Sequence, residues 1–386
     1  MTPMTRTPPD PIAGDVDRSL PVAVGMVTQY TLDAVSEVAG EAGRPVLLIA
    51  SRRQVECSSA GGGYVGWTTE QWCAKAMSAP AGRLILARDH GGPYQHPGDD
   101  RAGADGTDGD GELAMAAARH SLRCDIESGV RLLHLDTSLG PGGRAESVAV
   151  ALARAVALVA DCLEVAAGLG RRVGFELGIE VQAEHVADPD RYGDQIRPAV
   201  EEMRTRYGVT PVFVVAQTGT KVVECENVGR LTAVGPASED RRRLAGLAVA
   251  ARRLGGRLKA HNCDYLPAPA IGALRRAGAW MNISPEVGVA QTAAIVRSLR
   301  AARLPAILDE FCEHVIEAGH WRKWTRSAAD VPDERRVLLG GSYLFSAPIF
   351  AEVRGRLDRA IGRHGRSTRR IAIDAAKAVV WRYLRA

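Results

Sequence analysis

The chain of 386 residues has 49 basic and 45 acidic side chains, a formal net charge of +4, and a hydrophobic content of 46%. This composition is typical of a globular protein with a large core, and it excludes a chain that is disordered throughout. The nearly balanced charge gives no case for a nucleic-acid partner.

The cysteines and the N-terminal residues indicate the compartment. The seven cysteines have no C-x-x-C spacing, which argues against a disulfide framework and against a cysteine-based zinc or iron–sulfur site. The opening residues, MTPMTRTPPDPIAGDVDRSL, lack the apolar core of a signal peptide, and no apolar run approaches the length of a membrane span. We therefore expect a soluble cytoplasmic protein with no membrane partner.

Short apolar runs alternate with helix-like stretches along most of the chain. The runs predict strands at 22–28, 46–51, 84–88, 130–135, 173–180, 212–216, 257–260 and 279–283. The stretches between them predict helices at 31–43, 69–79, 112–128, 145–169, 189–207, 238–254, 267–277 and 286–303. Eight such units are the number that closes an α/β (β/α)8 TIM barrel. The alternative is an open doubly wound sheet, but the early glycine-rich turn from Gly61 to Gly66 lacks the G-x-G-x-x-G order.

The remaining segments set the expected domain boundaries. Residues 1–19 contain closely spaced prolines and charges, which predict a flexible N-terminal segment. Residues 20–304 are expected to form the barrel. Residues 305–386 exceed what a barrel needs, and their helix-like stretches predict a C-terminal helical extension packed on the barrel.

Polar side chains finish most of the predicted strands. The carboxyl ends of barrel strands converge on one face, where the active sites of TIM barrels lie. In chain order these residues are Gln54, Asp89, His90, His134, Asp136, Glu180, Gln217, His261, Asn282 and Ser284. Imidazoles and carboxylates are ligands for Zn²⁺ and similar ions, and a carboxylate also transfers protons. The pattern therefore predicts metal-assisted chemistry at this face.

The histidines among these residues differ in how strongly they indicate function. Asp89 and His90 precede a Gly-Gly-Pro turn, which favours exposure of both side chains at the barrel mouth. His134 alternates with leucines, and we interpret it as a hydrogen-bonded core histidine. Asp136 is a candidate metal ligand or carboxylate partner of a metal-bound histidine.

Later strands add further candidates. Glu180 lies nearer its strand end than Glu176, so Glu180 is the better active-site candidate and Glu176 is expected deeper in the barrel. His261 ends a weakly predicted strand, and we favour it as a metal ligand because other strand ends supply partners. The position of Gln217 is equally consistent with a chain turn and with a substrate contact.

A series of motifs resembles one known family. The motifs are VLLIASRRQVE, GGGYVGWT, LARDHGGPY, RLLHLDTS, GIEVQ, AQTG, KAHNCDY, MNISPEVG and HWRKWTRS, in that order between about residues 20 and 330. Their combination resembles the large, "non-catalytic" subunit of class II D-tagatose-1,6-bisphosphate aldolase and, more distantly, the class II fructose-bisphosphate aldolases. The resemblance implies a TIM barrel of carbohydrate metabolism in which a divalent ion, usually Zn²⁺, holds a ketose phosphate as an enediolate.

The resemblance also implies roles for single residues. Asp89 would be the catalytic proton-transfer acid and His90 a metal ligand, while His261 matches a second metal-binding histidine. Asp136 and Glu180 match carboxylates near the metal, and Glu180 is expected to take part in catalysis. Residues expected to contact substrate are Gln54, Gln217, Asp264, Asn282 and Ser284.

Two departures from the family bear on the function. The catalytic aldolases have a third metal-binding histidine near the end of the sixth strand, but this chain reads AQTGTK at 216–221, with the glutamine that the accessory subunits share. The catalytic enzymes hold a phosphate on a Gly-Gly-Ser turn after the seventh strand, where this chain has Asn262-Cys263-Asp264. The acid at this turn weakens the case for a bisphosphate substrate.

Three functions stay open on these grounds. The first is a metal-dependent class II aldolase-like lyase that makes or breaks a carbon–carbon bond in a phosphorylated or polar sugar. The second is a non-catalytic stabilising subunit of a separate class II aldolase, which the missing histidine favours. The third is a metal-dependent sugar epimerase, because retro-aldol cleavage and re-addition use the same groups. Barrels of this kind commonly form symmetric oligomers, so we expect a homo-oligomer.

Overall fold

The computed structural model describes residues 11–79, 84–102, 111–179, 183–233, 235, 238–362 and 365–386. Eight parallel strands in these residues close into a barrel. The strands are β1 (Val22–Gly25), β2 (Val46–Ser51), β3 (Leu84–Asp89), β4 (Leu132–His134), β5 (Gly174–Gly178), β6 (Phe213–Ala216), β7 (Arg257–Ala260) and β8 (Trp280–Ile283). Each predicted strand is present, and the predicted TIM barrel is confirmed.

Helices surround the barrel and extend beyond it. They are α1 (Pro11–Arg18), α2 (Gln29–Ala42), α3 (Thr69–Met77), α4 (Pro97–Ala102), α5 (Glu112–Ser128), α6 (Val148–Gly168), α7 (Pro189–Tyr207), α8 (Glu239–Arg253), α9 (Ala268–Ala277), α10 (Pro285–Ala301), α11 (Pro305–Ala318), α12 (Asp333–Gly340), α13 (Pro348–Ile361) and α14 (Thr368–Arg385). A short antiparallel hairpin, Val222–Val223 with Glu226–Asn227, follows β6. None of the helices in the described part of the chain combines the length and apolar character that a membrane span requires.

Side-chain alternation decides which strand residues face the barrel axis. A cluster of buried apolar residues fills the barrel interior, and it comprises Ile12, Val16, Ala23, Leu47, Ile49, Ile85, Ala87, Leu132, Val212, Phe213 and Trp280. Because successive side chains of a strand point to opposite sides, Asp89 continues the inward row of Ile85 and Ala87. The residues between them, such as Leu86, pack against the surrounding helices.

The N-terminal segment differs from the expectation of a flexible lead-in. Helix α1 forms at Pro11–Arg18, and Ile12 and Val16 are completely buried in the interior cluster. The two apolar side chains are four residues apart, so they lie on one face of the helix. The helix therefore closes the barrel end opposite the strand carboxyl ends, whereas residues 1–10 lie outside the described part of the chain.

The C-terminal helices pack on the barrel. Helix α14 contacts both α10 and α2, so it lies beside the last and the first of the barrel's helices. Ion pairs fix it there: Arg370 lies 2.8 Å and Lys377 2.7 Å from the carboxylate of Glu37 on α2. The segment before α12 includes a short helical turn, His320–Trp324, which reaches the barrel mouth.

A buried charge network fixes the chain after β2. The carboxylate of Glu56 accepts hydrogen bonds from Arg52 Nε at 2.7 Å and from Ser121 Oγ at 2.7 Å. Burial alone would raise the pKa of Glu56, but the charges of Arg88 and Arg52 lower it to about 2. Because the folded pKa lies below the ordinary value of 4.5, the ionised carboxylate stabilises the fold above that value, and the contribution is lost as pH falls toward 2.

We predict that Glu56→Gln lowers the free energy of unfolding by about 3 kcal/mol at pH 7, the amount that a pKa shift of this size represents. The difference from wild type should shrink steadily between pH 4.5 and pH 2.5. Urea unfolding followed by circular dichroism at a series of pH values measures both effects. Glu201→Gln, on an exposed position of α7, is the matched control and should change little. If the loss of unfolding free energy in Glu56→Gln stayed constant with pH, the ionised carboxylate of Glu56 would not be the stabilising group.

Candidate active site

Three imidazoles surround one carboxylate at the barrel mouth. Asp89, the last residue of β3, lies 3.4 Å from His134 Nδ1, 3.7 Å from His90 Nε2 and 4.0 Å from His261 Nε2. The three histidine rings form a nearly equilateral triangle, with centroids 5.0 to 5.4 Å apart. The mouth of the barrel is therefore a concentrated set of nitrogen and oxygen donors.

The turn after β3 explains the glycines that follow His90. His90 itself has a left-handed backbone with φ of 50°, which turns the chain sharply at the strand end. A Cβ atom on Gly92 would lie 1.8 Å from the carbonyl oxygen of Asp136, so only glycine fits there. The close approach of these two loops brings His90 beside the end of β4.

Asp136 orients His90. Its Oδ2 lies 2.6 Å from His90 Nδ1, and the same carboxylate accepts hydrogen bonds from Gln95 Nε2 at 2.8 Å and Ser138 Oγ at 2.5 Å. Burial alone would raise the pKa of Asp136, but these contacts hold it well below its ordinary value. An ionised carboxylate on one ring nitrogen leaves the other nitrogen of His90 directed to the mouth, as in carboxylate–histidine–metal arrangements.

A buried ion pair lies beneath the histidines. Lys259 Nζ on β7 is 2.6 and 2.7 Å from the two oxygens of Glu176 on β5, and both side chains are almost fully buried. Such pairs are costly to break in a low-dielectric interior, so they fix the positions of their residues. Donor atoms of Glu176 lie within 4.8 Å of donor atoms of His134 and His261.

The donor set fits a divalent metal ion. The ligand atoms of Asp89, His90 and His261 lie within 4.8 Å of one another, and His261 also belongs to the group with His134 and Glu176. Among the described residues, His134 Nε2 is buried and has no hydrogen-bond partner. Leaving a buried polar nitrogen unsatisfied is unfavourable, and a metal ion would satisfy it. Histidine nitrogens with a carboxylate are a typical ligand set for Zn²⁺.

Asp89 is held in its ionised form. Burial alone would raise the pKa of Asp89, but His90, His134, His261 and the Lys259 ammonium keep it well below its ordinary value. Asn282 on β8 adds a long contact of 3.5 Å to the same carboxylate. A carboxylate that is ionised at neutral pH can accept a proton from a substrate hydroxyl.

The rim of the mouth encloses a cavity of about 290 Å³ that includes Asp89, His90 and His261 in its lining. Gln54 Nε2 donates to Ser284 Oγ at 3.1 Å across this cavity. Asp264 accepts the backbone N–H groups of Ser284 and Glu286 at 2.8 and 2.9 Å, at the start of α10. Burial and the neighbouring Glu286 raise the pKa of Asp264 to about 7.

Most of the residues predicted from the sequence line or support this cavity. They are Asp89, His90, Asp136, His261, Gln54, Asp264, Asn282 and Ser284. Gln217 is elsewhere: its Oε1 accepts the N–H of Gly219 at 3.2 Å, and it lines a separate cavity with His185 and Arg191. Glu180 lies outside the described residues.

Some residues of the site differ from the sequence-based predictions. His134 does not lie apart from the site as a core histidine, because β4 places it with Leu132 on the inward side. The parity of Leu132, His134 and Asp136 is the signal that could have identified it. Lys323 and Trp324 also line the cavity, but nothing local in their sequence shows that the C-terminal extension reaches the mouth.

No family model matches the chain, and no curated protein matches it significantly. Among solved structures, a probable tagatose 6 phosphate kinase from Sinorhizobium meliloti 1021 aligns with a TM-score of 0.71 and 22% identity, over 94% of this chain and 99% of that chain. Fructuronate-tagaturonate epimerase from Cohnella laeviribosi aligns with a TM-score of 0.50 and 13% identity, over 94% of this chain and 80% of that one. At these identities the likeness shows that the chain shares the TIM-barrel fold of these structures.

Proposed function

We propose that the chain is a metal-dependent lyase of the class II aldolase type, which makes or breaks a carbon–carbon bond in a phosphorylated or otherwise polar sugar. The observation that carries this proposal is the ionised Asp89 carboxylate within 4.0 Å of three imidazoles at the barrel mouth. The resemblance of the chain's motifs to the tagatose-bisphosphate aldolase large subunit supports the same chemistry.

His90 and His261 would hold the ion, Zn²⁺ or another divalent metal, beside Asp89. His134 belongs to a second group of possible ligands, with Glu176 and His261. When bound, the ion supplies Lewis-acid stabilisation of negative charge on the carbonyl oxygen of the sugar. Asp136 then has the role of orienting His90, because its carboxylate contacts the ring nitrogen that faces away from the mouth.

Asp89 would move the proton. In the cleavage direction the Asp89 carboxylate accepts the proton of a sugar hydroxyl while the adjacent carbon–carbon bond breaks, which leaves an aldehyde on one fragment and the bonding electrons on the other. In synthesis the Asp89 carboxyl returns the proton to the new hydroxyl oxygen. Gln54, Asn282 and Ser284 line the same cavity and offer hydrogen-bonding groups for the other hydroxyls of the sugar.

A sugar epimerase is the second candidate function. Cleavage followed by re-addition on the other face of the aldehyde changes one stereocentre, and it uses the same metal-binding residues and the same Asp89 carboxylate. The similarity in fold to fructuronate-tagaturonate epimerase is a further reason to test an epimerase function. A non-catalytic stabilising subunit of a separate class II aldolase also stays a candidate, because the AQTGTK stretch after β6 has no histidine.

The metal site is tested by metal content. We expect the purified protein to contain about one divalent ion per chain, and His90→Ala and His261→Ala each to lose most of it, because each removes one of few nitrogen ligands. Inductively coupled plasma mass spectrometry measures the content. His314→Ala, on an exposed position of α11, is the control and should keep the metal. A wild-type protein that neither contains nor binds the metal would refute the proposal and the epimerase alternative together.

The proton-transfer role is tested by Asp89→Asn. The variant should retain the metal and lose turnover by about 10³-fold, because an amide cannot accept the hydroxyl proton. Cleavage is followed by coupled detection of the aldehyde product, and epimerisation by NMR, with D-fructose 6-phosphate, D-fructose 1,6-bisphosphate and D-fructuronate. Asp190→Asn, exposed on α7, is the control.

Turnover by Asp89→Asn at the wild-type rate would contradict the role of Asp89. The same assays are repeated with an added class II aldolase. Activity that appears only as an increase in the partner's own rate would assign the chain to the stabilising-subunit function.

A further inference from the structure

We infer that the substrate carries a single anionic group, a phosphate or a carboxylate, and that Lys323 and Arg53 bind this group at the mouth of the cavity. The inference rests on the proposed function of the same site. It names the class of substrate and two residues that select it.

The C-terminal extension forms one wall of the cavity. Lys323, Trp324, Ser342 and Tyr343 line the cavity together with the barrel residues. Lys323 Nζ lies 4.9 Å from the ring centroid of Trp324 and 4.6 Å from that of Tyr343, and Trp324 Nε1 donates to the Tyr343 hydroxyl at 3.2 Å. Cation–π contacts on two rings hold the ammonium at the wall.

Aromatic side chains give this wall a surface for a sugar. Tyr64 packs against Tyr343 with ring centroids 4.5 Å apart, and both residues line the cavity with Trp324. Flat aromatic faces contact the C–H groups of a sugar ring, and the phenol and indole polar groups remain at its edge. The wall therefore fits an amphipathic ligand rather than a metal or a water cluster alone.

Lys323 and Arg53 are exposed cations without a carboxylate partner. Among the described residues neither makes an ion pair, and Arg53 Nε donates to the backbone carbonyl of Gln95 at 3.2 Å. Other cations near the mouth already form ion pairs: Arg52 pairs with Glu56 and Asp99, and Lys259 pairs with Glu176. Two cations without a carboxylate partner in the lining of one cavity favour the binding of an anion there.

The start of α10 cannot hold a second anion. Helix N-termini bind anions through free N–H groups, but here Asp264 already accepts the N–H groups of Ser284 and Glu286. An internal carboxyl thus fills the position that a phosphate would need. The cavity therefore has two cations, Lys323 and Arg53, in its lining, while Asp264 already occupies the N–H groups at the start of α10. This combination favours a substrate with one anionic group.

Binding measurements separate this inference from catalysis. Isothermal titration calorimetry on the full chain uses D-fructose, D-fructose 6-phosphate, D-fructuronate and D-fructose 1,6-bisphosphate. At least one singly anionic ketose should bind about tenfold more tightly than D-fructose, since a charge-assisted contact is stronger than a neutral one. The second phosphate of the bisphosphate should add no affinity. The tighter of the two anionic ketoses identifies phosphate or carboxylate as the recognised group.

Variants assign the effect to residues. Lys323→Met and Arg53→Met should each raise the Kd of the anionic ketose about tenfold and leave that of D-fructose nearly unchanged, whereas Lys323→Arg should retain the preference. Lys75→Met is the matched control, because Lys75 also lies over a tryptophan, 5.1 Å from the ring of Trp67, but does not line this cavity.

The inference is overturned if the anionic ketoses bind no more tightly than D-fructose, or do not bind at all. It is also overturned if the second phosphate of D-fructose 1,6-bisphosphate increases the affinity strongly. Unchanged affinity for the anionic ketose in both Lys323→Met and Arg53→Met would overturn it as well. Metal content and turnover report separately on the proposed function. Anion-selective binding that depends on Lys323 in a protein without metal would refute only the proposed function. A metal-loaded, active protein without anion preference would refute only this inference.

Discussion

The alternation of side chains along barrel strands is the constraint on which the site depends. Ile85, Ala87 and Asp89 lie on one side of β3, so the apolar row that fills the barrel becomes polar at its last position. The same parity brings His134 and Asn282 toward the axis from β4 and β8. A shift of one residue in β4 or β8 would replace the polar group by an apolar one that now packs on the helices.

This polar cluster is stable because each charge has an opposite charge nearby. The side chain of Asp89 is only 12% exposed, and burial without the neighbouring imidazoles and Lys259 would raise its pKa. The Lys259 ammonium and the surrounding imidazoles offset the cost, while Glu176 balances Lys259 in the layer below. Asp136 contacts the Nδ1 atom of His90 at 2.6 Å from the side of β4. The charges therefore form a connected set, and removing one leaves its neighbours unpaired, which is the costly outcome.

The sequence could predict the barrel because local signals agree with the global fold. The bounds of β2 and β7 coincide with the predicted runs, and α5 and α7 with the predicted helices. Helix α1 is hard to predict because closely spaced prolines precede it and three of its eight residues are charged. Only the buried pair Ile12 and Val16 shows its amphipathic face. Local composition cannot show that such a short helix has a barrel end to cover.

The site was less predictable because it depends on where loops turn after each strand. His134 lies between two leucines, but its parity with Asp136 places it on the inward side of β4, where it is fully buried 3.4 Å from Asp89. Gln217 follows β6 by one residue, yet its side chain bends back to the N–H of Gly219 and lies away from the site. The alternation of inward and outward side chains holds within a strand, but it does not predict the direction of a side chain such as Gln217, which lies in the tight turn directly after β6.

The extension links the end of the chain to the chemistry at the strand ends. Helix α14 is fixed between α2 and α10 by burial and by its ion pairs with Glu37. The backbone N–H of Glu224 donates to the carbonyl of Trp324 at 2.7 Å, so the segment that carries Lys323 is also attached to the hairpin after β6. The same hairpin supports the β7 loop, since Asn227 Nδ2 donates to the carbonyls of Asn262 and Asp264. The segment that carries Lys323 and the loop that carries Asp264 are therefore both attached to the hairpin after β6, which connects the C-terminal extension to the strand ends of the barrel.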